Sequence, residues 1–89
     1  PKSTAERPRE RKLKFSYKEQ LEFETIDDTL AELEAQLAAC TAAQEACGSD
    51  YVKLQELQAQ QAELEARLEE KTERWVYLNE LKEKIDAQN

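Results

Sequence analysis

The sequence predicts an all-α fold: a two-helix antiparallel coiled-coil hairpin preceded by a flexible basic N-terminal arm. Three observations carry that expectation. Punctuation is nearly absent, with one glycine (Gly48) and both prolines (Pro1 and Pro8) in the first eight of 89 residues. A sheet domain needs turn residues every ~8–12 positions, and they are missing here. Apolar side chains recur at alternating spacings of three and four along two long segments, the period of a coiled-coil seam. Hydrophobic residues make up 39% and charged residues 37%, too polar for a sizeable core but enough for one buried stripe.

The arm comes first. Residues 1–14 (PKSTAERPRERKLK) hold six Lys/Arg against two Glu and little apolar content before Leu13, the composition of a basic linker. The hairpin domain is expected over residues 15–89, with helices at about 17–47 and 50–87 and a turn at 48–50. Ser16 and Glu19 have the Ser-x-x-Glu spacing of a capping box, and Phe15 just before the cap is placed to act as a hydrophobic staple. The first seam follows: Phe23, Leu30, Leu37 and Gln44 at heptad position a, and Ile26, Leu33, Cys40 and Cys47 at d. Gly48 is placed to end the helix, and Ser49 or Asp50 to cap the next. The second seam has Leu54, Gln61, Leu68, Trp75 and Lys82 at a, and Leu57, Leu64, Lys71, Leu78 and Ile85 at d.

Two such helices joined by so short a turn must run antiparallel. One register suits every layer, with the numbers of facing residues adding to 101: Gln44 with Leu57, Cys40 with Gln61, Leu33 with Leu68, Ile26 with Trp75 and Phe23 with Leu78. Trp75 is expected as a core anchor, and Gln44 and Gln61 as interruptions that weaken the seam toward the tip. Leu13, Phe15 and Tyr17 are expected near Leu81 and Ile85.

The residue inventory excludes most site chemistry. Histidine is absent, so the commonest general base and metal ligand are missing. Two cysteines alone cannot complete a zinc site, and a single glycine makes no phosphate-binding loop. No catalytic, cofactor-binding or metal residue is assigned, and the chain is not expected to be an enzyme. Cys40 and Cys47 stand about 10.5 Å apart on a straight helix, too far for a disulfide. They read as small apolar side chains of a reducing compartment, with intermolecular redox pairing as the alternative. No apolar run approaches the ~18 residues of a membrane span, and no signal-peptide pattern is present.

The hairpin sorts charge. Residues 1–18 and 71–89 share the open end and hold eleven Lys/Arg against six Asp/Glu, whereas residues 19–70 hold two against fourteen. A polyanion would be repelled by the shaft and attracted to the open end. The candidate nucleic-acid contacts are therefore Arg7, Arg9, Arg11, Lys12, Lys14, Lys18, Arg74, Lys82 and Lys84. A solvated linker beside an ordinary helix surface is the plainer reading of the same charges.

Two segments carry a family resemblance. The run Lys12-Leu13-Lys14-Phe15-Ser16-Tyr17-Lys18-Glu19-Gln20, followed by Glu22-Phe23-Glu24, resembles the opening of the C-terminal domain of Uup-type ABC-F ATPases. The run Glu73-Arg74-Trp75-Val76-Tyr77-Leu78-Asn79-Glu80-Leu81 resembles its closing motif. Asp27 stands where many members carry a proline break, so the first helix either runs straight through or bends there. The resemblance implies a parent that is a cytoplasmic ATPase with tandem nucleotide-binding domains, no membrane part, and ATP and Mg as cofactors. It implies an accessory domain that contacts DNA, ribosomal RNA or the ribosome and modulates the parent ATPase domains. The alternative is a structural coiled coil for protein–protein contact or self-association, using exposed Leu21, Val76, Tyr77 and Leu81. The oligomeric state stays open in the sequence, leaning to a monomer.

Overall fold

The computed structural model describes residues 12–88. Two helices make up the described architecture, α1 (Tyr17–Glu45) and α2 (Tyr51–Ala87). Each begins where a side chain takes over an orphan backbone donor. The Ser16 hydroxyl accepts the Glu19 N–H at 3.1 Å, and the Glu19 carboxylate accepts the Ser16 N–H at 2.9 Å. The capping box is thus complete. Phe15 does not staple onto Gln20, the polar fourth helical residue; its ring packs on Phe23, with centroids 5.1 Å apart and planes tilted by 33°. α1 runs unbroken through Ile26-Asp27-Asp28. It stops at Glu45, two residues short of the expected end.

The reversal is built from backbone hydrogen bonds. Cys47 N–H donates to the Gln44 carbonyl and Asp50 N–H to the Cys47 carbonyl, each at 3.2 Å. Gly48 takes φ 65°, in the left-handed region where a Cβ is strained. A Cβ there would meet nothing within 4 Å, so the backbone angle, not space, calls for glycine. Asp50 then caps α2 by accepting the Lys53 N–H at 3.1 Å.

The buried residues are Ile26, Leu33 and Cys40 from α1 and Leu57, Leu64 and Leu78 from α2. All six are d positions; the a positions Phe23, Leu30, Leu37, Gln44, Leu54, Gln61 and Leu68 are only half-buried. The seam therefore rolls toward its d side. Cross-helix contacts straddle the expected layers. The Cys40 thiol donates to the Leu57 carbonyl at 3.1 Å, and the Gln44 amide donates to Gln61 Oε1 at 2.6 Å. At the far end Leu13 N–H, from the segment before α1, donates to Gln88 Oε1 at 2.9 Å.

Two expectations are corrected. Trp75 is 38% exposed and not a core anchor. Its indole N–H donates to Asp27 Oδ1 at 2.9 Å across the helix pair. A two-helix seam has no third layer to cover an a-side ring, so the indole lies along the flank. Gln44 and Gln61 are not separate interruptions, because the Gln44 amide donates to Gln61 Oε1 while the Gln61 amide donates to Glu65. Leu33, Cys40, Leu57 and Leu64, toward the tip, form the connected core cluster.

Leu78, fully buried at 0% exposure, is expected to cost about 2–5 kcal/mol when changed to Ala. Trp75→Phe is expected to cost only about 1 kcal/mol, through removal of an exposed hydrogen bond. Urea melts followed by circular dichroism compare the two, and a larger loss from Trp75→Phe contradicts the burial order. Gln44→Leu alone leaves the half-buried Gln61 Oε1 without its donor and facing an apolar partner, and destabilises by about 1 kcal/mol. Adding Gln61→Leu is expected to recover that loss in the same melts.

Candidate functional site

The antiparallel pairing brings the start of α1 beside the end of α2, and most candidate cations meet there. Lys12 and Lys14 precede α1, Lys18 lies in its first turn, and Arg74, Lys82 and Lys84 lie along the last turns of α2. Lys12, Lys14, Lys18 and Lys84 are exposed. Arg7, Arg9 and Arg11, with most of the expected arm, lie outside the described residues.

Arg74 is engaged within the hairpin. Its Nε donates to Glu22 Oε2 at 2.9 Å and its Nη2 to Glu22 Oε1 at 2.7 Å, a two-pronged bridge between the helices. The guanidinium also lies 4.8 Å from the centroid of the Tyr77 ring. The Tyr77 hydroxyl donates to Glu19 Oε2 at 2.7 Å, so Glu19 serves the α1 cap with one oxygen and α2 with the other. Lys82 pairs with Asp86 at 2.9 Å on the helix surface. Of the six described candidates, these two have carboxylate partners inside the fold.

The hydrogen bonds move the proton affinities. The Ser16 backbone N–H, followed by the Tyr77 hydroxyl, holds the Glu19 carboxyl below its ordinary value. The Arg74 hydrogen bonds hold Glu22 below its ordinary value, and the same contact raises Arg74. Tyr77 is raised, first by its hydrogen bond to Glu19 and then by burial.

Two hollows flank this network. One, of about 490 Å³, is lined by Glu22, Glu70, Lys71, Glu73, Arg74 and Tyr77, and its three carboxylates disfavour an anion. The other, of about 270 Å³, is lined by Lys14, Phe15, Gln20, Phe23, Lys82 and Ile85, with no carboxylate. The structure thus joins two sequence-predicted cations to two rings whose spacing in the sequence reads as structural. The register already places Phe15 near Ile85. The signal for the hollow itself is Lys14 beside Phe15, with Phe23 two turns on, and charge counting passes over it. Among the described residues, no cluster of His, Cys, Asp or Glu is arranged to hold a metal, and no helix is long and apolar enough to cross a membrane.

Comparison with known proteins adds to this geometry. The pattern of the family described as ABC transporter C-terminal domain matches residues 14–80. A relative from Bacillus subtilis (strain 168), the uncharacterized ABC transporter ATP-binding protein YfmR, is 37% identical over 86 residues. That alignment takes in 97% of this chain and 14% of the relative. No solved structure matches the chain.

The acid and alkaline limits of stability follow from the open-end network. Glu19 and Glu22 hold protons less tightly when folded than unfolded, so their contribution is present above the ordinary glutamate value of ~4.3 and lost as pH falls through the lower folded values. Tyr77 holds its proton more tightly when folded, so its contribution is present below the ordinary value of ~10 and lost as pH rises through the folded one. The network's own contribution is therefore whole between those two ordinary values and declines beyond either. Glu22→Gln should lower the neutral-pH melting temperature and flatten the acid limb; Tyr77→Phe should flatten the alkaline one. Circular dichroism melts across the pH range check this, and unchanged limbs in both variants refute it.

Proposed function

The chain belongs to the ABC transporter C-terminal domain family, and from that premise we propose that it is an accessory domain of an ABC ATP-binding protein. In this reading it contacts nucleic acid, DNA or ribosomal RNA, or the ribosome through its basic open end and modulates the parent ATPase. One observation supports the proposal: Leu13 pairs with Gln88, and Lys14 and Lys82 line one hollow, so the segment that carries Lys12, Lys14 and Lys18 lies at the end of α2 that carries Lys82 and Lys84. Residues 19–70, by contrast, carry two Lys/Arg against fourteen Asp/Glu. Phosphates are repelled along the shaft and attracted at one end, so contact is end-on and releases counterions there.

The proposal divides labour within the parent. This chain holds no phosphate-binding glycine loop, so ATP, Mg and hydrolysis belong to the parent's nucleotide-binding domains, in a cytoplasmic protein. As the C-terminal part of that parent, the hairpin follows the rest of the chain through residues just before Lys12. The open end then faces the ATPase body and the tip points away. A polyanion held at the open end lies where it can reach both, which supports a coupling role. No helix here has the fold context of a groove reader, so sequence-independent binding is the expected mode.

Anisotropy of labelled DNA and ribosomal RNA fragments, titrated with salt, tests the contact on the full 89-residue chain. Affinity is expected to fall linearly on a log–log plot. The triple variant Lys14→Gln, Lys18→Gln, Lys84→Gln should reduce the slope on duplex DNA by ~0.9 for each phosphate it no longer neutralises. Absence of binding at low salt removes the nucleic-acid reading. Concentration-dependent sedimentation in its place favours a self-associating structural coiled coil.

A further inference from the structure

The hollow lined by Lys14, Phe15, Gln20, Phe23, Lys82 and Ile85 joins two phenyl rings and Ile85 to two lysines, with no carboxylate in its lining. Phe15 and Phe23, 5.1 Å apart at 33°, make the floor with Ile85. Both rings are half-buried, so each is fixed by packing and still partly open to solvent. Lys14 comes from the segment before α1 and Lys82 from α2, so the two ammonium groups approach from different parts of the chain. The volume of about 270 Å³ lies just under the ~300 Å³ at which pockets for whole drug-sized ligands begin, and suits one planar ring.

Each part of that lining narrows the occupant. An inorganic anion has no use for the phenyl rings. A neutral aromatic has no use for the lysines. A paired nucleotide has both its faces stacked inside a duplex and cannot offer one to Phe15. An unpaired nucleotide offers a flat π-face and an adjoining phosphate, and stacking on an aromatic side chain tolerates any base. The Lys82–Asp86 pair is no obstacle, because both side chains are well exposed and an i,i+4 surface pair exchanges readily.

We propose that this pocket seats one unpaired nucleotide of a single-stranded nucleic acid, its base against Phe15 and Phe23 and its phosphate between Lys14 and Lys82. The inference rests on the polyanion contact proposed above and gives that contact a preference for single strands.

Three labelled probes of equal length test it at low salt: a mixed-sequence single strand, the same strand made abasic, and a duplex. The single strand is expected to bind about tenfold more tightly than the abasic strand, which keeps the phosphates and lacks the rings. Phe15→Leu, which keeps an apolar side chain and removes the ring, should erase that difference while leaving abasic-strand affinity and helicity unchanged. Lys14→Gln should weaken all three probes. Equal binding of the base-bearing and abasic strands by the unaltered protein overturns the stacking site and leaves the polyanion contact standing. Retention of the difference by a folded Phe15→Leu protein overturns it as well. Failure of all three probes to bind overturns both.

Discussion

Gly48 holds a backbone angle that other residues resist, and four residues, Cys47 to Asp50, turn the chain through a complete reversal. So short a turn leaves no slack for one helix to slide along the other. The last seam residue of α1, Gln44, meets Gln61 of α2, and Cys40 meets Leu57. At the opposite end the non-helical segment before α1 is tied to the end of α2, where Leu13 and Gln88 pair 75 residues apart in sequence. Caps, cross-helix hydrogen bonds and the gathering of lysines at one end all inherit this register. A slip of a single heptad would carry Lys82 and Lys84 away from Lys14 and Lys18 and disperse the positive charge.

The second constraint is narrowness. Two helices bury one row each, and here the d residues fill that row while the a residues lie along its flank. Large or polar a-side chains then find partners in hydrogen bonds instead of in a core: Gln44 with Gln61 and Trp75 with Asp27. On the other flank, beside the d row, Arg74 pairs with Glu22 and Tyr77 with Glu19 near the open end. Such pairs add little net free energy where they are exposed. They do add geometry, because a shifted register would set glutamine against leucine and leave an amide without a partner. Leucines supply the cohesion and the polar flank specifies the alignment.

The parts of this fold legible in the sequence are those written in local chemistry. The Ser16–Glu19 box, the lone glycine and the Asp50 cap are short-range signals whose mechanism needs no tertiary knowledge. The heptad spacing and the short turn together yield orientation and register. The roll of the seam is not legible, because it decides whether a or d is the inner row and no heptad count contains it. Position a alone points Trp75 into the core for that reason. The candidate site is legible as charge and illegible as shape. Lys14 and Lys82 stand out as cations, but Phe15 and Phe23 each have a sufficient structural role. Their meeting beneath the two lysines depends on the non-helical segment before Ser16, whose path follows from tertiary contacts with Gln88 and Phe23.

Pairing of Arg74 with Glu22 also bears on where a phosphate would approach. Counting charges alone places Arg74 among the strongest candidates, since arginine binds phosphate in the same fork geometry that it uses for a carboxylate. Here the fork is filled, and Tyr77 lies under the guanidinium. A phosphate would have to displace Glu22 and then meet Glu70 and Glu73 around the same hollow. The opposite flank bears Lys14 and Lys82 over phenyl rings and has no carboxylate in its lining. The two flanks of the open end are therefore unequal: one is an ion-pair clasp between the helices, and the other carries exposed Lys14 beside Lys82, whose partner Asp86 lies on the same helix surface. The clasp fastens α2 to the first turns of α1, and Glu19 links it to the Ser16 cap. Phe15 and the residues Lys12 to Lys14 are held separately, by Phe23 and Gln88, so the clasp leaves the flank of Lys14 and Lys82 the more open to a phosphate.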